Sequence, residues 1–319
     1  MKNILIVGAL GQLGSEIAWE ARKRYGNDHV VLTDIRDDVN RDLIASGPFE
    51  RLDSRDGEAL AKIVRSYHID TIFHLAALLS ANGEQHPQKA WDVNINGLLA
   101  TLEVAREEGT GVFVPSSIGA FGPTTPKMNT PQDTVQRPAS MYGVTKVAGE
   151  LLCDYYHAKY GVDTRGVRFP GIISNLTPPG GGTTDYAVEI YYAAVDRGRY
   201  TCFLKGDTYL DMMYSPDAVR AVFQLMETSP QRLKHRNAFN ITSMSLCPED
   251  IASSIRKRMH DFVIEYDVDP VRQAIADSWP DRLDDHAARE EWDWKPAYGL
   301  DAMTDDMLET IERREKRHA

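Results

Sequence analysis

Through the first half of the chain, short apolar runs alternate with longer segments whose apolar positions recur at helical spacing. The run Ile4 to Val7 lies within a strand reading of Lys2 to Val7. It passes into Gly8-Ala9-Leu10-Gly11-Gln12-Leu13-Gly14, after which Ser15 to Arg24 reads as helix. His29 to Thr33 reads as a second strand ending in Asp34, and Phe49 to Leu52 as a short third. A helix over Asp56 to Tyr67, a buried strand over Thr71 to Ala76 and a helix over Ala90 to Glu107 follow. Gly111 to Pro115 is the next strand, Met141 to Tyr160 a long helix, and Thr164 to Phe169 the sixth strand. Strands separated by helices in this way predict an α/β fold, a doubly wound parallel sheet with helices on both faces.

The alternation loosens beyond Phe169. Pro170-Gly171 is followed by Pro178-Pro179-Gly180-Gly181-Gly182, a loop composition, and then by a helix over Ala187 to Asp196. Phe239 to Thr242, Pro248 to His260 and Phe262 to Tyr266 suggest a smaller, mixed carboxy-terminal lobe. The division expected is residues 1–170 for the parallel sheet and 171–319 for the lobe, with some later segments returning to the first. Ligands in such folds bind outside the carboxyl ends of the strands, so the lobe is expected to close over that crevice, with the loop around Gly180 to Gly182 moving.

Composition narrows the partners. No stretch approaches the 18 or so apolar residues of a membrane span, and the first run is too short for a secretory leader, so a cytoplasmic location is expected. A net charge of −11 argues against nucleic acid or an anionic membrane as partner. Cys153, Cys202 and Cys247 are odd in number and widely separated, which indicates neither a disulfide framework nor a metal site.

The candidate chemistry sits at the strand ends. Strand, glycine turn and helix in succession open a dinucleotide-binding fold, where glycines let the backbone turn sharply and the helix amino terminus offers unpaired N–H groups to a pyrophosphate. Asp34, ending the second strand, would accept hydrogen bonds from an adenosine ribose and repel a 2′-phosphate, which favours NAD over NADP, although Arg36 stands close by. Asp53 could lie near the adenine edge. Downstream of Ser116-Ser117, Tyr142 and Lys146 stand one helical turn apart, so they share a helix face. A free phenol ionises near pH 10, and a phenol serving as base near neutrality needs a cation beside it.

These residues resemble the extended short-chain dehydrogenase/reductase family. Its pattern combines G-x-x-G-x-x-G, an acidic end to the second strand, a serine after the fifth strand and Y-x-x-x-K, and the match includes His74-Leu75-Ala76-Ala77 and Asn94-Ile95-Asn96-Gly97. The resemblance implies a Rossmann sheet and a catalytic set of Ser117, Tyr142 and Lys146, with Ser116 a possible substitute for Ser117. It also implies a dinucleotide lying along Gly8, Gly11, Gln12, Leu13, Asp34, Ile35, Asp53, Leu75, Ala76, Ala77, Asn94, Tyr142, Lys146 and Phe169. Asn94 could equally cap a backbone group. Family members pair through two long helices, here Ala90 to Glu107 and Met141 to Tyr160, so a homodimer is implied.

Within the family, Pro115 to Pro123 and Pro179 to Tyr191 look like the short-chain-type L-threonine 3-dehydrogenases, as do Tyr200 to Leu204 and Ser278-Trp279-Pro280. That likeness implies metal-free oxidation of L-threonine by NAD to 2-amino-3-oxobutyrate. Threonine brings a carboxylate and an ammonium that need partners. Ser80, Ser117, Tyr142, Thr183, Thr184 and Asp185 are the expected substrate contacts, Trp279 a possible wall. The plainer reading of Ser80 and of Thr183 to Asp185 is local turn capping. Two rivals remain at this stage. One is a nucleotide-sugar epimerase or dehydratase, which would need a basic pair for a second pyrophosphate. The other is a non-catalytic NAD sensor, for which an intact Tyr and Lys pair is unexpected.

Overall fold

A computed structural model describes residues 1–176 and 182–318. The strands β1 (Ile4–Val7), β2 (Val30–Asp34), β3 (Phe49–Arg51), β4 (Thr71–His74), β5 (Gly111–Phe113) and, after β6 (Ser116–Ser117), β7 (Thr164–Arg165) are the leading strands in chain order. Six of them form one parallel sheet in the order β3-β2-β1-β4-β5-β7. Every residue of β1, β2 and β4 is buried, which is why these strands read as apolar runs without alternation. The chain reverses its lateral direction between β1 and β4, and the crevice of such a sheet opens there, outside the carboxyl ends.

Two elements depart from the sequence reading. Thr164 to Phe169 is predicted as one strand but divides into β7 and β8 (Val167–Phe169), just as β5 and β6 are separate. The register runs through unbroken, with Val112 opposite Thr164 and Ser116 opposite Arg168. Pro115 lacks the N–H a ladder needs, and at Gly166 an added Cβ would lie 2.2 Å from the Val114 carbonyl oxygen, so the strands pinch together at that point. The helix predicted over Ala90 to Glu107 begins earlier, at Pro87, and carries a π turn over Asp92–Asn96 before continuing as Gly97–Glu108. A π turn accommodates one extra residue and leaves no trace in hydrophobic spacing.

The later strands are β9 (Gly171–Ile173), β10 (Arg199–Cys202), β11 (Leu210–Tyr214), β12 (Phe239–Asn240), β13 (Met244–Leu246) and β14 (Val263–Tyr266). Strand β11 runs parallel to β9 and antiparallel to β13, β10 pairs with β14, and β12 pairs in parallel beside β8. Phe223 of the helix Ser215–Glu227 packs in one core with Phe73, Phe113, Phe239, Trp292 and Trp294, so segments far along the chain complete the Rossmann layer. A second core gathers Tyr186, Tyr191, Leu210, Ile251, Met303 and Met307. Asp211 is fully buried in it, accepting hydrogen bonds from Thr242 Oγ1 at 2.8 Å and Leu283 N at 2.7 Å, and burial pushes its carboxyl up to about 7. That contact fastens the segment after Trp279 to the lobe. Among the described residues no helix is long and apolar enough to cross a membrane.

Candidate active site

The three glycines of the first turn answer to different constraints. Gly8 has φ +83°, and a Cβ there would sit 2.6 Å from the Ala76 backbone nitrogen. At Gly14 a Cβ would lie 2.3 Å from the Gly8 carbonyl oxygen. Gly11 differs, because among the described residues beyond its chain neighbours the nearest atom to where its Cβ would be is the Gly8 carbonyl oxygen, at 3.5 Å. It stands at the amino terminus of the helix Gln12–Tyr25, which no side chain caps and which carries no acidic residue in its first turn. Packing therefore explains Gly8 and Gly14, whereas Gly11 keeps a positive helix end open to the crevice, as a pyrophosphate requires.

Around this turn, the Asp34 carboxylate is buried and accepts from Leu10 N at 3.0 Å and from Arg36 Nε at 3.1 Å. Ile35 beside it is exposed. Asp53 lies farther out, gripped by Arg55, which holds its carboxyl below the usual range and also reaches Asp92. Asn94 uses its amide on neighbours. Its Oδ1 accepts from Leu78 N at 2.7 Å, while Nδ2 donates to Leu78 O at 3.1 Å and to Thr145 Oγ1 at 3.0 Å. It thereby ties the loop after β4 to the helix Met141–Tyr160.

That helix starts at Ser140, whose hydroxyl accepts from Gly143 N at 3.1 Å. Gly143 is needed because a Cβ there would lie 2.2 Å from the Gly119 carbonyl oxygen, a close approach that sets the helix start against the turn after β6. The Lys146 ammonium lies 5.3 Å from the centre of the Tyr142 ring and donates to Pro115 O at 2.7 Å. A Cβ on Gly119 would be 3.1 Å from Tyr142 Cε1 and 3.5 Å from Ser117 Oγ, so serine hydroxyl and tyrosine ring flank one narrow gap. Ser117 accepts from Gly119 N at 3.1 Å. Ser116 is engaged below, donating to Glu150, which forms a buried pair with Arg168 at 2.8 Å. Geometry thus separates the two serines.

One cleft, with an empty volume of about 1170 Å³, connects these parts. Its lining combines Gly8, Gly11, Gln12 and Leu13 with Leu75, Ala77, Ser116, Ser117, Tyr142, Lys146 and Phe169 and with Ser80, Thr183, Thr184, Asp185 and Trp279. Asp34, Ile35, Asp53, Ala76 and Asn94 are not in its lining, with Ala76 serving as the backbone against which Gly8 packs. Ser80 and Thr183 are buried, and Asp185 accepts from Gly182 N at 2.6 Å. Thr177, Pro178, Pro179, Gly180 and Gly181, which include most of the loop expected to move, lie outside the described residues. Sequence reading missed Leu79, Ile118 and Ile172 in the wall, and also the Pro115 carbonyl that fixes Lys146. The buried Glu150 was detectable, since it stands one turn beyond Lys146, whereas a backbone oxygen leaves no signature.

The chain matches the NAD dependent epimerase/dehydratase family over residues 4–242. It is 55% identical over 316 residues to an uncharacterized epimerase/dehydratase of Staphylococcus saprophyticus, covering 99% of both. Among solved structures, an L-threonine dehydrogenase from Clostridium difficile is similar with a TM-score of 0.97 and 56% identity, over 98% of each chain. A monomeric L-threonine 3-dehydrogenase from a metagenome is similar with a TM-score of 0.93 and 42% identity, over 98% of this chain and 99% of that one. With the glycine cradle, the Ser117, Tyr142 and Lys146 set and a family match over most of its length, the protein belongs to the NAD-dependent epimerase/dehydratase family of extended short-chain dehydrogenase/reductases and is an oxidoreductase that uses NAD.

Proposed function

We propose that the protein oxidises L-threonine at C3 to 2-amino-3-oxobutyrate. The observation that carries this reading is the lining of the cleft, which brings Ser80, Thr183, Thr184, Asp185 and Trp279 into one space with Ser117 and Tyr142. Short hydroxyls and one carboxylate suit a small zwitterion. Among the described lining residues Lys146 is the sole Lys or Arg, so a second diphosphate, as in a sugar nucleotide, would find no basic pair.

Oxidising a secondary alcohol removes a hydroxyl proton while a hydride leaves the same carbon. Bound along the glycine turn, NAD supplies the hydride acceptor. Tyr142 takes the hydroxyl proton, and Ser117 donates to the substrate oxygen and holds it at the phenol. Lys146, fixed by the Pro115 carbonyl, places positive charge where the phenol oxygen becomes negative. Hydroxyls of Ser80, Thr183 and Thr184 donate to the substrate carboxylate, and Asp185 attracts the ammonium. Without such partners each charge would cost several kcal/mol to bury.

The assay is absorbance of reduced nicotinamide with L-threonine, L-serine and other hydroxy acids, using NAD and NADP in turn. Sustained NADH formation, highest with L-threonine, is expected. No turnover with any amino acid or hydroxy acid would remove the proposal and favour a sugar-nucleotide enzyme.

A homodimer in the cytoplasm is part of the same reading. Val144, Leu151 and Tyr155 form an exposed apolar stripe on the helix Met141–Tyr160, with Trp91 and Leu99 exposed on the neighbouring helix. A second copy would cover them. The metagenomic relative is monomeric, so sedimentation across a concentration series decides, and an invariant monomer mass refutes the dimer. The buried, unpaired Cys153, Cys202 and Cys247 suit a reducing compartment.

A further inference from the structure

The loop after β4 turns into the short helix Ser80–Gln85, which packs on the start of the helix Met141–Tyr160. Glu84 Oε1 accepts from the Met141 backbone N–H at 2.6 Å. The first N–H groups of a helix have no partner within it, and they carry partial positive charge. Ser140 serves Gly143 N, but the first turn of Met141–Tyr160 holds no acidic residue of its own. A carboxylate from a different element supplies the negative group, and a bond from a charged acceptor is shorter and stronger than a neutral one.

Glu84 stands one helical turn beyond Ser80, which is buried and lines the cleft. Gly83, also buried, lies against the same helix start, where a Cβ would be 3.9 Å from both the Cβ and the backbone nitrogen of Tyr142. The segment is tied at its other end as well. Asn94 holds the N–H and the carbonyl of Leu78 and reaches Thr145 Oγ1, and that hydroxyl donates to the Tyr142 carbonyl at 2.7 Å. Ser80 therefore lies between two fastenings to the turn that carries Tyr142, one at Leu78 and one at Glu84. Glu84 is exposed, so removing it opens no cavity and leaves the Met141 N–H to water. What it fixes is a spacing.

We propose that Glu84 is a positioning residue for the substrate: by holding Met141 it sets the distance from the Ser80 hydroxyl to the Tyr142 phenol. This inference rests on the threonine reading above. In a 2-amino-3-hydroxy acid the carboxylate and the C3 hydroxyl are a fixed number of bonds apart, so the donor for one and the base for the other must keep a matching separation. Slack between them loosens the carboxylate contact, in the ground state and the transition state alike, and so acts on KM more than on kcat.

Steady-state kinetics of the full chain with L-threonine and NAD test it. Glu84→Ala is expected to raise KM for L-threonine roughly fivefold or more, with kcat and KM for NAD within about twofold of wild type. Its Tm is expected to stay within about 3 °C. Glu84→Gln, which keeps an acceptor for the Met141 N–H, is expected to return KM to within about twofold of wild type. In a Ser80→Ala background Glu84→Ala is expected to cost less than about twofold, because the group it positions is already gone. A full loss persisting in that background marks a merely structural role and overturns the proposal. Hydrogen exchange reads the contact without substrate: the Met141 N–H is expected to exchange at least about fivefold faster in Glu84→Ala than in Glu84→Gln, and equal rates overturn the proposal. A wild type that makes no NADH from L-threonine refutes the reaction on which this role depends. A wild type that turns over, with Glu84→Ala matching it in KM, refutes the role of Glu84 alone.

Discussion

The two ends of the main cleft are built from different material. The nucleotide end is main chain, formed by Gly8, Gly11 and the uncapped start of the helix Gln12–Tyr25, and packing of Gly8 against Ala76 fixes its shape. The proposed substrate end is side chains, Ser80, Thr183, Thr184, Asp185 and Trp279, brought from three separate stretches of sequence. Such a cradle admits few substitutions, because at Gly8 a methyl group already collides with other backbone and at Gly11 it would intrude on the space the cofactor needs. A wall of side chains can change one residue at a time. The contrast explains how one dinucleotide site can serve many substrates, with specificity residing in groups that packing does not dictate.

The largest expected effect lies where the two ends meet. Tyr142→Phe should lower turnover by about 10²–10⁴-fold while NAD binding, followed by calorimetry, stays within about threefold. Turnover near wild type would remove Tyr142 as the base. Next comes the glycine contrast. Gly8→Ala places a side chain at positive φ against backbone and should cost on the order of 2 kcal/mol or more of stability together with NAD affinity. Gly11→Ala should leave urea unfolding within about 0.5 kcal/mol yet weaken NAD roughly tenfold or more. Equal stability losses for the two variants would break the comparison.

Changes at the substrate end should be milder and selective. Thr183→Val and Ser80→Ala are each expected to raise KM for L-threonine about 5- to 30-fold, through loss of one hydrogen bond to a charged group, with NAD affinity unchanged. A matching loss of NAD affinity would show that the ends are not independent.

The smallest effect is a tilt in stability against pH. His74 is held below its ordinary value, so its contribution is present above about 6.5 and is lost as pH falls toward 3. Asp211 is raised, so its contribution is present below about 4 and is lost as pH rises toward 7. Between pH 4.5 and 6.5 the two oppose each other. His74→Gln should make stability fall more with pH in that window and Asp211→Asn should make it rise more, each by at most about 1.4 kcal/mol per pH unit. Parallel urea midpoints across the window would count against both.

Legibility in the sequence followed the same contrast. Strands β1, β2 and β4 are buried on both faces and showed as apolar runs, and the glycine turn and the Tyr142 and Lys146 spacing showed because local geometry demands those residues. The break at Pro115 and Gly166 was missed because pairing of the flanking halves keeps a single register, so the six-residue pattern looks continuous. The return of Phe223, Trp292 and Trp294 to the first core is a long-range packing event with no periodic signal beyond an amphipathic helix. Ser116 and Ser117 could not be told apart from sequence, because the difference is the buried Glu150 and Arg168 pair that claims one of them.

The π turn at Asp92–Asn96 carries a consequence of its own. An α-helix with one residue inserted gives up regular hydrogen bonding locally, and excising that residue would restore it. Excision would also swing the preceding turn about 100° around the axis, and Asn94 could no longer grip both strands of its clamp, Leu78 and Thr145. What looks like a flaw in one helix is therefore the fastening between the post-β4 loop and the helix Met141–Tyr160, and a shorter descendant of this chain would have to invent another before it could discard the surplus residue.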